Sequence, residues 1–327
     1  MNIRSILHAL AAATLTLAGT GTAMAQTGFP NKAVRIIVPL SAGTGMDTVG
    51  RQLAEKLSSM WGQPVVIDNK PGAAGITAIS ALKQAPADGY TLLACEVGMV
   101  AITPQILKRV PFDTLNDLAG VATLFKTYYM LTTAGSGPLD TYPTLVAAAQ
   151  AKPGQLAYGS TAVGSPAHLA GVLLSDAIQA PMVHVAYKDA GQMFTDVASG
   201  QVGYVWATSG SIKPFLDSKR LKVLAAGAPQ RLRGYEDIPT VAELGGPKDF
   251  SVDNWNAVVA LKGTPPDIIA KLNRDISEAM RSPEMQARIN VLGYDMYLGS
   301  PADMDRLLAS EWRRYGEAVR RAKIEPQ

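Results

Sequence analysis

What most constrains this chain is a hydrophobic period that keeps switching between two and about 3.6 residues. Val34-Arg35-Ile36-Ile37-Val38 is a β-rich apolar run stopped at Pro39. A glycine-rich turn follows, and then Val49, Leu53, Leu57 and Met60 recur at helical spacing, with Asp47 placed to cap the helix start. Val65-Val66-Ile67 is the next strand, residues 75–82 a short helix, and Thr91-Leu92-Leu93-Ala94 another buried strand. Strands and helices that alternate over short connections imply parallel βαβ units.

The pattern then restarts. Strands are expected at 129–132, 156–158, near Val183, at 204–206 and at 223–225, with helices over 144–151, 166–178 and 190–199. Residues 255–261 read as a strand returning to the first domain, because only helices are expected after it, over 266–281, 283–292 and 301–322. The expected architecture is α/β, with a discontinuous first domain (26–126 plus 250–327) and a second domain (127–249). Two crossovers between such domains make a clamshell with a ligand cleft between its halves.

The N-terminus reads as a leader. Arg4 is the one Lys, Arg, Asp or Glu before Lys32, an apolar stretch covers 6–18, and Ala23-Met24-Ala25 forms a small-residue exit. The apolar run is shorter than the ~18 residues a membrane span needs. Residues 1–25 are therefore expected to be a signal peptide cleaved after Ala25, delivering the rest to the periplasm. The roughly 300 residues left exceed what one core usually serves and suit two domains. The whole chain carries a formal charge of +3, too little and too scattered for a nucleic-acid surface. Cys95 has no second cysteine to pair with, so stability rests on burial, for which 47% hydrophobic residues suffice.

Two segments hold the chemistry. Val38-Pro39-Leu40-Ser41-Ala42-Gly43-Thr44-Gly45-Met46-Asp47 runs from a strand directly into a helix, where backbone N–H groups and the helix dipole favour an anion. Gly43 and Gly45 let the backbone approach it closely. A dinucleotide fingerprint would need glycine where Thr48 stands, and no P-loop lysine follows. An ordinary tight turn is the plain alternative. In the second domain Gly159-Ser160-Thr161-Ala162-Val163-Gly164-Ser165-Pro166-Ala167-His168 repeats the arrangement, with Pro166 suited to the first helical position. Ser165 reads equally well as a ligand donor or an N-cap.

Catalytic constellations are thin. After the leader the histidines are His168 and His184, too few for a three-histidine metal site, and there is no G-x-S-x-G elbow. His184 reads as a structural histidine in an apolar strand, and Cys95 as a core residue. Glu96 ends a strand and either enters the cleft or is a solvated or capping carboxylate. Tyr187, Lys188 and Asp189 follow a strand, facing either the cleft or solvent. Trp206 either lines the cleft or packs in the core. Glu311, Arg313, Arg314, Arg320 and Arg321 read as a solvated helix face. No cofactor and no metal are expected.

With these segments in view, the chain resembles the Bug-type solute receptors of tripartite tricarboxylate transporters over essentially its whole mature length. The resemblance rests on Phe29-Pro30, on the segment 38–47, and on Asp68-Asn69-Lys70-Pro71-Gly72-Ala73-Ala74-Gly75. It continues through Pro86-Ala87-Asp88-Gly89-Tyr90-Thr91-Leu92-Leu93, Lys152-Pro153-Gly154, the segment 158–168, Tyr187-Lys188, Ser199-Gly200-Gln201-Val202, Arg231, Pro239-Thr240-Val241-Ala242-Glu243 and Trp255. It implies a two-domain fold like class II periplasmic binding proteins and a small carboxylate as ligand. By carry-over, Leu40, Ser41, Ala42, Gly43, Thr44 and Asp47 form one wall, with Ala73 and Ala74 nearby. Ser160, Thr161, Gly164, Ser165 and His168 form the other, with Tyr187 and Asp189 beside it.

Five positions depart from the family pattern: Leu40 stands where an aromatic is usual, Ser41 and Thr44 add hydroxyls to the loop, Asp189 stands where glycine is usual, and Gly203 where an acid often follows G-Q-V. The expected function is a non-enzymatic receptor, acting as a monomer, that closes on a carboxylate and delivers it to inner-membrane carrier subunits. The alternatives are the same fold feeding a membrane kinase as a sensor, and an exported hydrolase using Ser165 with His168.

Overall fold

A computed structural model describes residues 28–326, so the expected leader and its cleavage point lie outside the described residues. In chain order the strands are β1 (Val34–Val38), β2 (Val65–Asn69), β3 (Thr91–Glu96), β4 (Leu118–Ala134), β5 (Ala157–Ser160), β6 (Val183–Ala186), β7 (Tyr204–Thr208), β8 (Leu221–Ala226), β9 (Asp253–Leu261) and β10 (Asp295–Met296). The helices are α1 (Gly45–Trp61), α2 (Ile76–Lys83), α3 (Thr103–Ile106), α4 (Thr114–Asp117), α5 (Tyr142–Ala151), α6 (Pro166–Ala177), α7 (Ala190–Ala198), α8 (Ser209–Asp217), α9 (Pro266–Met280), α10 (Pro283–Val291) and α11 (Pro301–Arg321). A 3-10 turn at Ala73–Gly75 precedes α2, and a π turn at Gly98–Ile102 precedes α3.

Strand pairing divides at β4. The first sheet runs β2-β1-β3-β9-β4, with β1 parallel to β2 and β3, and β9 antiparallel to β3 and β4. Residues 118–128 of β4 pair with β9, whereas residues 129–134 pair antiparallel with β7 and β8. The second sheet continues through β7 to β5 and β6, which are parallel. The chain thus passes between sheets inside one 17-residue strand and returns through Val252. There Tyr129 N–H donates to the Val252 carbonyl and Val252 N–H to the Gly227 carbonyl, both at 2.9 Å.

Both faces of the first sheet are buried, and pleating sorts its side chains. Ile36, Val38 and Leu92 pack with Val49, Leu53 and Leu57 of α1 and with Leu272 and Ile276 of α9. Ile37, Leu93 and Cys95 face the other way, onto Ile79, Leu82, Trp255, Leu308 and Tyr315. The second sheet has cores on both faces too, one holding Trp206, Tyr204 and Leu145, the other Met193, Phe194 and Val205.

Several sequence expectations are corrected. The α1 cap is Thr44, whose Oγ1 accepts the Asp47 N–H at 3.4 Å; Asp47 lies in the first turn. The expected strand 129–132 lies within β4, whose first eleven residues carry no clear strand pattern in the sequence. Gly120 and Lys126 interrupt its apolar run, and burial on both faces erases alternation. Lys126 is accommodated because its Nζ lies over the Tyr128 and Tyr297 rings. A strand does follow β9: β10 pairs antiparallel with Phe125 and Lys126. Glu311 is buried rather than solvated, and Arg314 lies against Glu311 and donates to the Ser251 carbonyl, pinning the return crossing. Trp206 is a core residue.

Candidate ligand-binding cleft

A cleft of about 460 Å³ opens where the turn after β1 faces the turn after β5. Its walls include Pro39, Leu40, Ser41 and Thr44 on one side, and Ala162, Val163, Gly164, Ser165 and Pro166 on the other. That volume lies in the range of small-molecule sites. A separate cavity of about 150 Å³ beside Tyr128, Arg233 and Tyr294 is below it.

The first wall is held by an ionic frame. Asp47 is buried, and its Oδ2 accepts the Gly43 N–H at 2.9 Å and Arg51 Nε at 3.0 Å. Asn69 Nδ2 bridges Asp47 Oδ1 (2.8 Å) and the Leu40 carbonyl (3.0 Å), while Arg51 Nη2 donates to Asn69 Oδ1 at 2.7 Å. Burial alone would raise the Asp47 pKa. The bonds from Arg51, Gly43 and Asn69 outweigh it and hold the carboxyl below its ordinary value. Asp47 therefore shapes the turn from behind. Gly43, at φ 87°, is one of the positions where the turn requires glycine.

The turn after β2 joins this wall in an unusual backbone state. Gly72, Ala73, Ala74 and Gly75 all have positive φ, the alanines at 47° and 51°. Alanine in the left-handed region costs roughly 1–2 kcal/mol. Ala74 lines the cleft and Ala73 does not.

The second wall is held by a neutral frame. Ser160 Oγ donates to the Ala162 carbonyl at 2.9 Å and lies 2.7 Å from His184 Nε2, so the imidazole presents its Nε2–H to it. His168 and His184 stack with ring centroids 3.8 Å apart. His168 Nδ1 accepts the Gly164 N–H at 2.8 Å. Burial, helped by His184, pushes the His168 pKa down to about 4, and burial lowers that of His184 as well. Ser165 Oγ caps α6 by accepting the His168 backbone N–H at 3.2 Å. Gly164, at φ 74°, faces α3 so closely that a Cβ there would collide with Ile106. The two walls meet at that contact.

Of the residues singled out by sequence, Leu40, Ser41, Thr44, Ala74, Gly164 and Ser165 come together on the cleft. Ala42, Gly43 and Thr161 are exposed and do not line the cleft. Asp47, Ser160 and His168 are buried frame residues. Tyr187 donates its hydroxyl to Asp196 Oδ2 at 2.9 Å, and burial with that carboxylate pushes its pKa up to about 12. Asp189 caps α7, accepting the Gln192 N–H at 2.7 Å. The serine–histidine pair considered for hydrolysis does not assemble: Ser165 Oγ takes a backbone N–H and the His168 imidazole takes another.

Glu96, at the C-terminal end of β3, is the addition. It lines the cleft, and Asn254 Nδ2 donates to its Oε2 at 3.0 Å. Burial raises its pKa against that hydrogen bond. The signal available in sequence was a carboxylate ending a parallel strand, where such sheets place ligands.

Residues 49–324 match the family described as the tripartite tricarboxylate transporter family receptor. Protein BugT of Bordetella pertussis is 31% identical over 94% of both chains. Among solved structures, R. palustris Rpa4515 with adipate is 29% identical with a TM-score of 0.76, covering 91% of this chain and 100% of that one. MatC from Rhodopseudomonas palustris with bound malate is 26% identical with a TM-score of 0.72, covering 89% and 100%.

Proposed function

The chain belongs to the tripartite tricarboxylate transporter receptor family, and on that premise we propose that it is a periplasmic receptor that captures a small carboxylate in the cleft. The observation that carries this reading is the meeting of two strand-to-helix turns, one from each sheet, across a space of about 460 Å³. Each turn leads into a helix N-terminus, whose dipole suits an anion. The adipate and malate of two relatives agree in chemical class.

The mechanism is closure. The halves that move are residues 26–126 with 250–327, against residues 127–249. A ligand touching both turns binds only when they are close, so it shifts the population towards the closed form. The closed form then delivers its cargo to inner-membrane carrier subunits. A thermal-melt screen of the leader-free protein against mono-, di-, tri- and aminocarboxylates tests the reading. At least one acid should raise the melting temperature, because a ligand at 100 times its Kd adds about 2.7 kcal/mol. A flat response across the whole panel overturns it.

A further inference from the structure

Among the described residues, Glu96 is the one charged side chain lining the cleft, and no Lys or Arg lines it. Its Oε2 is occupied by Asn254, an uncharged donor, and among the described residues no ion pair involves it. Oε1 has no protein donor among the described residues, and lies 3.9 Å from where a Gly98 Cβ would stand. That same point is 3.8 Å from Pro166 Cγ, at the start of α6. The free oxygen therefore sits beside the seam between the two walls, where a closed-in ligand would pass.

An acid at this place is at odds with a plain dicarboxylate. Two carboxylates brought to a cleft with no basic side chain would meet a third, and one of them would have to face it. Like charges in a partly desolvated site repel and serve to reject wrong partners. The hydroxyls of Ser41 and Ser165, which line the cleft, can donate to one carboxylate, and Glu96 supplies an acceptor for an opposite charge.

Resting on the receptor reading above, we propose that the cargo is an aminocarboxylate, its carboxylate held by the strand-to-helix turns and its ammonium by Glu96 Oε1. In this arrangement Glu96 is the specificity-determining residue. Asp189 does not fill that role because its carboxylate caps α7. The cargo thereby differs in charge from the adipate and malate of the two relatives.

Isothermal titration with matched pairs tests this: glutamate against glutarate, norleucine against hexanoate, and 6-aminohexanoate against hexanoate and adipate. The best aminocarboxylate should bind wild-type protein at least tenfold more tightly than the same acid lacking the amine. E96Q, which keeps the shape and removes the charge, should shrink that ratio at least tenfold while the amine-free acid binds as well or better. Equal or tighter binding of the amine-free acid or dicarboxylate to wild-type protein overturns the proposal and leaves the receptor reading standing. An unchanged ratio in E96Q overturns it too. Failure of every acid to bind overturns both readings. The wild-type ratio needs no variant, so a misfolded E96Q would not shield the idea.

Discussion

The two turns that face each other across the cleft have the same backbone task and solve it with opposite electrostatics. The turn after β1 is tied down by a buried carboxylate that holds a guanidinium, an amide and a backbone N–H at once. The turn after β5 is tied down by a serine hydroxyl and two stacked imidazoles that must stay uncharged. A charged frame is strong while its ion is paired and fails when one partner is removed. A neutral frame tolerates no proton. The lesson is that similar strand-to-helix turns respond to different insults.

The largest effect expected is from Asp47→Ala. It orphans the Gly43 N–H, Asn69 and Arg51 together, and should cost about 2–4 kcal/mol of stability in urea unfolding. A cost below about 0.5 kcal/mol would show that the first turn does not depend on its ionic frame. Next comes acid. His168 takes up a proton near 6.5 when unfolded but only near 4 when folded, so its contribution is complete above pH 6.5 and lost as the pH falls towards 4. The wild-type protein should lose up to ~1.4 kcal/mol per pH unit in that window relative to H168Q, in parallel unfolding series. Asp47, lowered from 3.8, withholds its own acid loss until below that value. Identical slopes for wild type and H168Q would break the contrast between the two frames. The smallest effect is from Ser165→Ala, which removes the α6 cap at a cost of ~1 kcal/mol. The same change should weaken the best carboxylate about tenfold in titration calorimetry by removing a hydroxyl donor. Unchanged affinity would reduce Ser165 to a cap.

How much of this was legible in the sequence depends on the range of the interactions involved. The α/β alternation around β1, α1, β2 and β3 was readable because each face repeats within a few residues. The turns carrying Leu40, Ser41, Thr44, Gly164 and Ser165 were readable because a strand, a glycine and a helix start are all local signals. Asp47 and His168 look identical in sequence to ligand-facing residues. Only their hydrogen bonds to Gly43, Asn69 and Gly164 turn them into the frame. Glu96 was visible as a strand-end carboxylate, but its setting depends on Asn254, 158 residues away, and on Pro166 from the opposite wall. The length of β4 was hidden for a similar reason: its two halves are strands of different sheets, so no single face pattern runs through it.

That shared strand has a mechanical consequence. A pair of bodies joined by slack loops can swivel in any direction, whereas bodies joined by one unbroken ribbon can only bend and twist it. Between Lys126 and Tyr129 the ribbon is stitched on one side to β9 and on the other to β7, with the returning chain bonded to it at Val252. It behaves as a leaf spring clamped at both ends. In the closure proposed above, opening and shutting follow one stiff arc rather than a free swivel.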